Sequence, residues 1–142
     1  LLRGGSLVGM QMLGVLNEQG LSLLVYNDST LTTHTNRGVQ DLLALISEHP
    51  ERLNGAIVAD KLIGKAAAAI MAAGGVREVH TNLICTAGKQ LLQSKGVAVF
   101  AAEEVRQILN RDRSAQCPFD AQLNEIESVE ECVTILQNMP KP

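Results

Sequence analysis

The stretch NGAIVADKLIGKAAAAIMAAGG, residues 54–75, decides the fold. Ala56 to Ala59 is a short apolar run with β-branched residues, bounded by Asn54-Gly55 and Asp60-Lys61, the pattern of a buried strand. From Lys61 the texture turns helical: Asp60 is a suitable N-cap, Ala dominates with Leu62, Ile70 and Met71 among it, and Gly74-Gly75 supplies the stop. The reading predicts a central strand running straight into a helix of small apolar surface. Their junction, Ala59-Asp60-Lys61, falls at the carboxyl end of the strand, where ligands of open α/β sheets collect.

Toward the N-terminus, Met10 to Glu18 carries Met12, Leu13 and Leu16 on one helical face and ends at Gly20. Leu21–Tyr26 and Thr30–Thr35 read as an antiparallel hairpin about Asn27-Asp28-Ser29, its second arm near an edge. After Asn36-Arg37-Gly38 comes a helix, Val39 to His49, stopped by Pro50. Toward the C-terminus, Glu78–Ile84 reads as a core strand, Thr86–Lys95 as a helix, Val97–Phe100 as a brief strand and Ala102–Leu109 as a helix. The polar loop NRDRSAQCPFD and a last helix from a Ser128 cap to Asn138 complete the chain. A hairpin followed by βα units predicts a mixed five-stranded sheet with helices on both faces, a three-layer α/β/α sandwich.

Composition bounds the function classes. A chain of 142 residues, 46% hydrophobic and 19% charged, can bury one substantial core. Aromatics are 2% and the formal charge is −3, which argues against nucleic acid, since neither stacking platforms nor a phosphate-binding surface is present. Three widely spaced cysteines, Cys85, Cys117 and Cys132, form neither a disulfide framework nor a CxxC site, the pattern of a reducing cytoplasm. No run approaches the roughly 18 apolar residues of a membrane span. Residues 1–9 read as leader or appended sequence, and residues 10–142 as a single domain.

Three features could carry chemistry. Asp60-Lys61 with Gly64-Lys65 would put two lysines, four apart, on one face of the first helical turns, with Gly64 permitting close approach, an arrangement suited to an anion. It is not a P-loop, and the structural alternative is a cap with two solvated lysines. Asn110, Arg111 and Cys117 would form a polar loop rim, although a lone Cys is more often a small buried hydrophobe, and no His stands near it to serve as base. Arg37 before the second helix could contact an anion or simply mark the helix entry. The histidines, His34, His49 and His80, are not at metal spacing, so neither metal nor cofactor is expected, and His49-Pro50-Glu51 reads as a helix stop.

Taken together, Arg37-Gly38-Val39, Ala59-Asp60-Lys61 with Gly64-Lys65-Ala66-Ala67, Gly74-Gly75-Val76, Asn110-Arg111 and Cys117-Pro118 followed by Asp120 resemble a family of small uncharacterised bacterial proteins, a domain of unknown function with a cytidine-deaminase-like fold. The resemblance runs from about Leu21 to Asn138 and implies a sheet in the order 2-1-3-4-5. Zinc deaminases begin the central helix with H-x-E and the next with P-C-x-x-C, whereas this chain has Asp60-Lys61 and Ile84-Cys85-Thr86 there. The expectation is therefore not a zinc-dependent deaminase.

The function expected on these grounds is binding of a nucleotide-like or other anionic small molecule at the strand carboxyl ends, with Asp60, Lys61, Gly64, Lys65, Arg37, Asn110, Arg111 and Cys117 as candidate residues. The alternatives are a non-metallo enzyme acting on nucleotide or ADP-ribose-like substrates and a structural or interaction subunit. A homodimer is a further expectation, through the Ala-rich helix or the hairpin edge.

Overall fold

The computed structural model describes residues 6–36, 39–110 and 112–140. Helix α1 (Leu7–Gln19) is followed by strands β1 (Leu23–Asn27) and β2 (Thr30–His34), and then by α2 (Gln40–Glu48). A 3-10 turn at Pro50–Arg52 leads into β3 (Ile57–Ile63), α3 (Lys65–Gly74), β4 (Glu78–Cys85), α4 (Thr86–Ser94) and β5 (Ala98–Val105). The one-turn helix α5 (Pro118–Ala121) and α6 (Val129–Gln137) close the chain. The strands form one mixed sheet in the order β2-β1-β3-β4-β5, as the resemblance implied. β1 runs antiparallel to both neighbours, while β3, β4 and β5 are mutually parallel. β2 therefore points the same way as β3, and the carboxyl ends of four strands share one edge.

The β1–β2 hairpin turns at Asp28 and Ser29, whose φ values of 49° and 64° lie in the left-handed region a two-residue primed turn requires. Leu23 and Val25 face the main core, while Leu24 faces α1, so the strand covers both layers by its alternation. On the α1 side, Met12 and Leu16 pack on Leu24, Ile57 and Ala59, and burying a side chain of that size contributes roughly 1.5–3 kcal/mol. The other face carries α2, α3 and α4, with α6 laid mainly against α3. Every residue of α3 from Lys65 to Ala72 is buried, which explains an Ala-rich helix with no polar face: small side chains let the sheet, α4 and α6 approach from all sides. The helix stops at Gly75, where φ is 80°, and the Val76 N–H returns to the Met71 carbonyl.

Several expectations are corrected. β3 does not end at Ala59: it continues through Asp60, Lys61 and Leu62 to Ile63, because Leu62 and Ile63 pair with Leu83 and Ile84 of β4. Asp60 is accordingly not the cap of α3; Gly64 holds that position, outside the helix, and Lys65 is its first residue. Ala102–Leu109 is not a helix. Glu103, Glu104 and Val105 pair with Leu83, Ile84 and Cys85 as the continuation of β5, so parallel pairing at an exposed edge overrides the helical preference of Ala and Glu. Helix α1 starts at Leu7 rather than Met10, under a Ser6 cap, and Gly9 is buried against the sheet. The buried α3 offers no face to a second copy, contrary to the expectation for the Ala-rich helix.

β3 and β4 share an irregularity. Val58 and Ile63 both face the main core although their offset along the strand is odd, and so do Val79 and Ile84. The two strands change face together between the paired residues Asp60 and Thr81 and the ends of the strands. Each paired residue then serves the displaced backbone two positions on: Asp60 Oδ1 accepts from the Leu62 N–H at 3.3 Å, and Thr81 Oγ1 from the Leu83 N–H at 3.4 Å.

Candidate functional site

The carboxyl edge of the sheet holds two separate polar groups of residues. At the start of α3, Asp120 of α5 accepts from the Ala66 N–H through Oδ1 at 2.9 Å, giving the helix the side-chain cap that Gly64 cannot supply. Lys65 turns inward and donates from Nζ to the Leu123 carbonyl at 2.6 Å. Gly64 leaves room for the carboxylate, since a Cβ there would lie 2.1 Å from Asp120 Oδ2. Cys85 caps α4 by accepting from the Gly88 N–H at 3.3 Å. Burial pushes the Asp120 carboxyl above its ordinary value, although the N–H groups of Ala66 and Lys65 and the Lys65 charge oppose the shift. Burial likewise raises the Cys85 and Cys117 thiols, so neither is poised as a thiolate.

These groups do not fit zinc. The starts of α3 and α4 offer Lys65, a cation, and Cys85, a neutral thiol already accepting a backbone hydrogen bond, while Asp120 is committed to capping α3. Among the described residues no group of three or more His, Cys, Asp or Glu is placed to hold a metal ion.

The second group lies about 13 Å back along β3, four strand residues before Gly64. Leu23 pairs with Asp60 on one side and His34 on the other, so the three side chains share one face, with His34 at the carboxyl end of β2. His34 Nδ1 stands 3.9 Å from Asp41 Oδ2 of α2, and Asn36 Nδ2 donates to Asp41 Oδ1 at 2.9 Å. Among the described residues, His34 Nε2 and Asp41 Oδ2 are buried without a hydrogen-bond partner. Burial pushes the Asp60 carboxyl up to about 7, against the N–H groups of Leu62 and Lys61. Lys61 is exposed and makes no ion pair among the described residues.

The raised Asp60 value gives a stability prediction. The folded form binds its proton more tightly than the unfolded chain, so Asp60's contribution is fully present below about 3.8 and is lost as pH rises toward 7. Asn keeps an Oδ1 acceptor without the charge. Asp60→Asn is expected to gain about 1–2 kcal/mol at pH 8 and nearly nothing at pH 4, the full shift corresponding to at most about 4 kcal/mol before solvent screening. Urea unfolding at the two pH values measures it; a gain that does not change with pH would contradict it.

Of the sequence candidates, Gly64 and Lys65 come together with Asp120, and Cys117 caps α5, the helix that carries Asp120. Asp60 and Lys61 do not join them. Asn110 closes its own loop, accepting through Oδ1 from the Ser114 and Ala115 N–H groups at 3.0 and 3.3 Å. Arg37 and Arg111 lie outside the described residues. His34, Asp41, Cys85 and Asp120 were not singled out as site residues, and only the spacing of Asp120 after Cys117-Pro118 hinted at one of them. Two grooves lie elsewhere, one of about 430 Å³ between α2 and α6 and one of about 490 Å³ between α1 and β5; neither is lined by Asp60 or Lys61.

Among known proteins, the chain is similar to a crystal structure of a DUF1893 family protein from Thermotoga maritima, at 24% identity and a TM-score of 0.82 over 92% of this chain and 89% of that one. It is also similar to the apo dCMP deaminase of cyanophage S-TIM5, at 15% identity and a TM-score of 0.45 over 69% of this chain and 94% of that one. No curated protein matches the sequence. The pattern of the family described as TM1506, a domain of unknown function (DUF1893), matches residues 11–139, and the chain therefore belongs to that family.

Proposed function

We propose that the protein binds a nucleotide-like or other anionic small molecule at the carboxyl ends of β2 and β3. The observation that supports this reading is the pair of buried atoms, His34 Nε2 and Asp41 Oδ2, that have no partner among the described residues, beside the Asp60 row. Leaving such atoms unsatisfied costs about 1–3 kcal/mol each, and a ligand with hydroxyl or amino donors removes that cost. Lys61 is an exposed cation at the next position of β3, and α2 begins just past the carboxyl end of β2, the edge where doubly wound sheets bind ligands. Lys65, held by Leu123, contributes to the fold rather than to the ligand. The unpaired thiols of Cys85, Cys117 and Cys132 are compatible with a reducing, cytoplasmic setting.

A panel of nucleotides and sugar phosphates, read by thermal shift, tests the proposal, since a ligand of the native state raises its melting temperature by mass action. Lys61→Ala is expected to remove the shift produced by a phosphorylated hit while changing apo stability by under about 1 kcal/mol. No shift from any member of the panel, or a shift indifferent to Lys61 and Asp41, would favour a structural subunit. A second reading, an enzyme without a metal, draws on Asp60, whose carboxyl near 7 is suited to proton transfer at neutral pH. Turnover of a hit that Asp60→Asn abolishes without loss of binding would establish it.

A further inference from the structure

The described residues cover only half of the sheet face away from α2. Helix α1 lies over β1, β3 and β4, among the described residues nothing else lies over β5 on that face, and the groove between them is bounded by Met10 and Leu13 on the helix and by Phe100 and Ala102 on the strand. The exposed side of the helix mixes apolar residues with Gln11, Asn17, Glu18 and Gln19. Leu7, Val8, Met10 and Val15 of α1 are four of the seven large hydrophobic residues exposed among those described, and Met10 is the one that borders the groove.

Helix and groove are a matched pair. Packed helices stand 8–10 Å apart and strands about 4.8 Å, so a second helix seated beside α1 lies two strands further on, directly over β5. The protein presents the helix and the groove side by side. One two-fold rotation therefore puts each α1 into the other copy's groove, whereas an unrelated helix would have to match both the groove and the flank of α1. Charge permits the pairing, because Leu7–Gln19 has a single ionisable residue, Glu18, at its far end. Gly14 faces open space, which lets the two backbones approach closely.

The platform is rigid. Ser6 donates from Oγ to Glu78 Oε2 at 2.7 Å, and His80 Nε2 shares that oxygen at 2.6 Å. At the other end Asn17 and Asn82 exchange reciprocal bonds of 3.0 and 2.6 Å. Docking α1 therefore requires little reordering of the helix itself.

We propose that the surface formed by α1 and β5 is a homodimer interface in which α1 of each copy fills the groove over β5 of the other. The footprint is a helix about 20 Å long and its neighbour, toward the small end of specific interfaces, so the dimer is expected to dissociate in the micromolar range.

Sedimentation equilibrium of the full chain from about 1 to 100 µM tests it, with a monomer–dimer equilibrium expected across that range. Met10→Glu is expected to leave monomer at every concentration. Its circular dichroism melt should match the wild type, because Met10 is 46% exposed and α1 stays pinned at both ends. Leu31→Glu, on the exposed hairpin, is expected to leave the dimer intact. A wild-type monomer at about 100 µM, a dimer that survives Met10→Glu, or a dimer lost in Leu31→Glu overturns the assignment.

Discussion

Replacing Gly64 by Ala is expected to destabilise the protein by about 3 kcal/mol, a large effect for adding one methyl group. The backbone at Gly64, φ −91° and ψ −175°, is extended and open to any residue, so the cost does not arise from conformation. It arises from space. The added Cβ would stand 2.1 Å from Asp120 Oδ2 and 2.8 Å from Cγ and Oδ1. Asp120 has a short side chain fixed by the Ala66 N–H, so the clash is relieved only by giving up that bond or by moving α5 away from α3. Gly88 reinforces the constraint, because a Cβ there would already lie 3.0 Å from the Gly64 carbonyl oxygen and 3.2 Å from Ala68 Cβ. Thermal and urea unfolding measure the loss. A Gly64→Ala protein as stable as the wild type would show that α5 is free to withdraw, and that Asp120 is a loosely held loop residue rather than the cap of α3.

The same glycine shows how far the sequence could be read. The hairpin was legible because Asn27-Asp28-Ser29 is local turn chemistry, and the strand order followed from the succession of elements together with the family resemblance. The end of β3 was not legible. Asp60-Lys61 resembles a helix start by its own chemistry, and only the pairing of Leu62 and Ile63 with a strand some twenty residues later keeps the chain extended. The full length of β5 is hidden for the same reason, since Ala101 to Glu104 favours helix until β4 is beside it. Two lysines four apart therefore became one exposed strand residue and one buried helix residue. Asp41 and His34 meet only because α2 folds back over the end of β2, a contact that no periodicity within either element records.

The second large effect is expected at Asp120, where truncation to Ala should cost about 3 kcal/mol and Asn about 1 kcal/mol. Asp120→Ala leaves the Ala66 N–H buried without an acceptor and removes a carboxylate that acts on Lys65 through its charge, without a direct ion pair. A buried cation deprived of its counter-charge is among the costlier defects a core can hold, and Lys65 is 9% exposed with one carbonyl, that of Leu123, as its remaining partner. Asn restores an oxygen to the Ala66 N–H at nearly the same volume. Burial raises this carboxyl above its ordinary value, so its charged form is not strongly favoured here and a neutral amide of the same shape costs less than truncation. The lysine accounts for what Asn does not recover, and Asp120→Asn with Lys65→Met should therefore be less destabilised than the two single changes summed, a coupling that a double-mutant cycle reads directly. Strict additivity would mean that the two side chains act independently and that α3 is held by its apolar surfaces alone. Ligand-dependent stabilisation should survive in Asp120→Asn, because Asp60 lies about 13 Å and Lys61 about 10 Å back along β3 from Gly64, the residue Asp120 packs on. Its loss there would move the binding site from the Asp60 row to the start of α3.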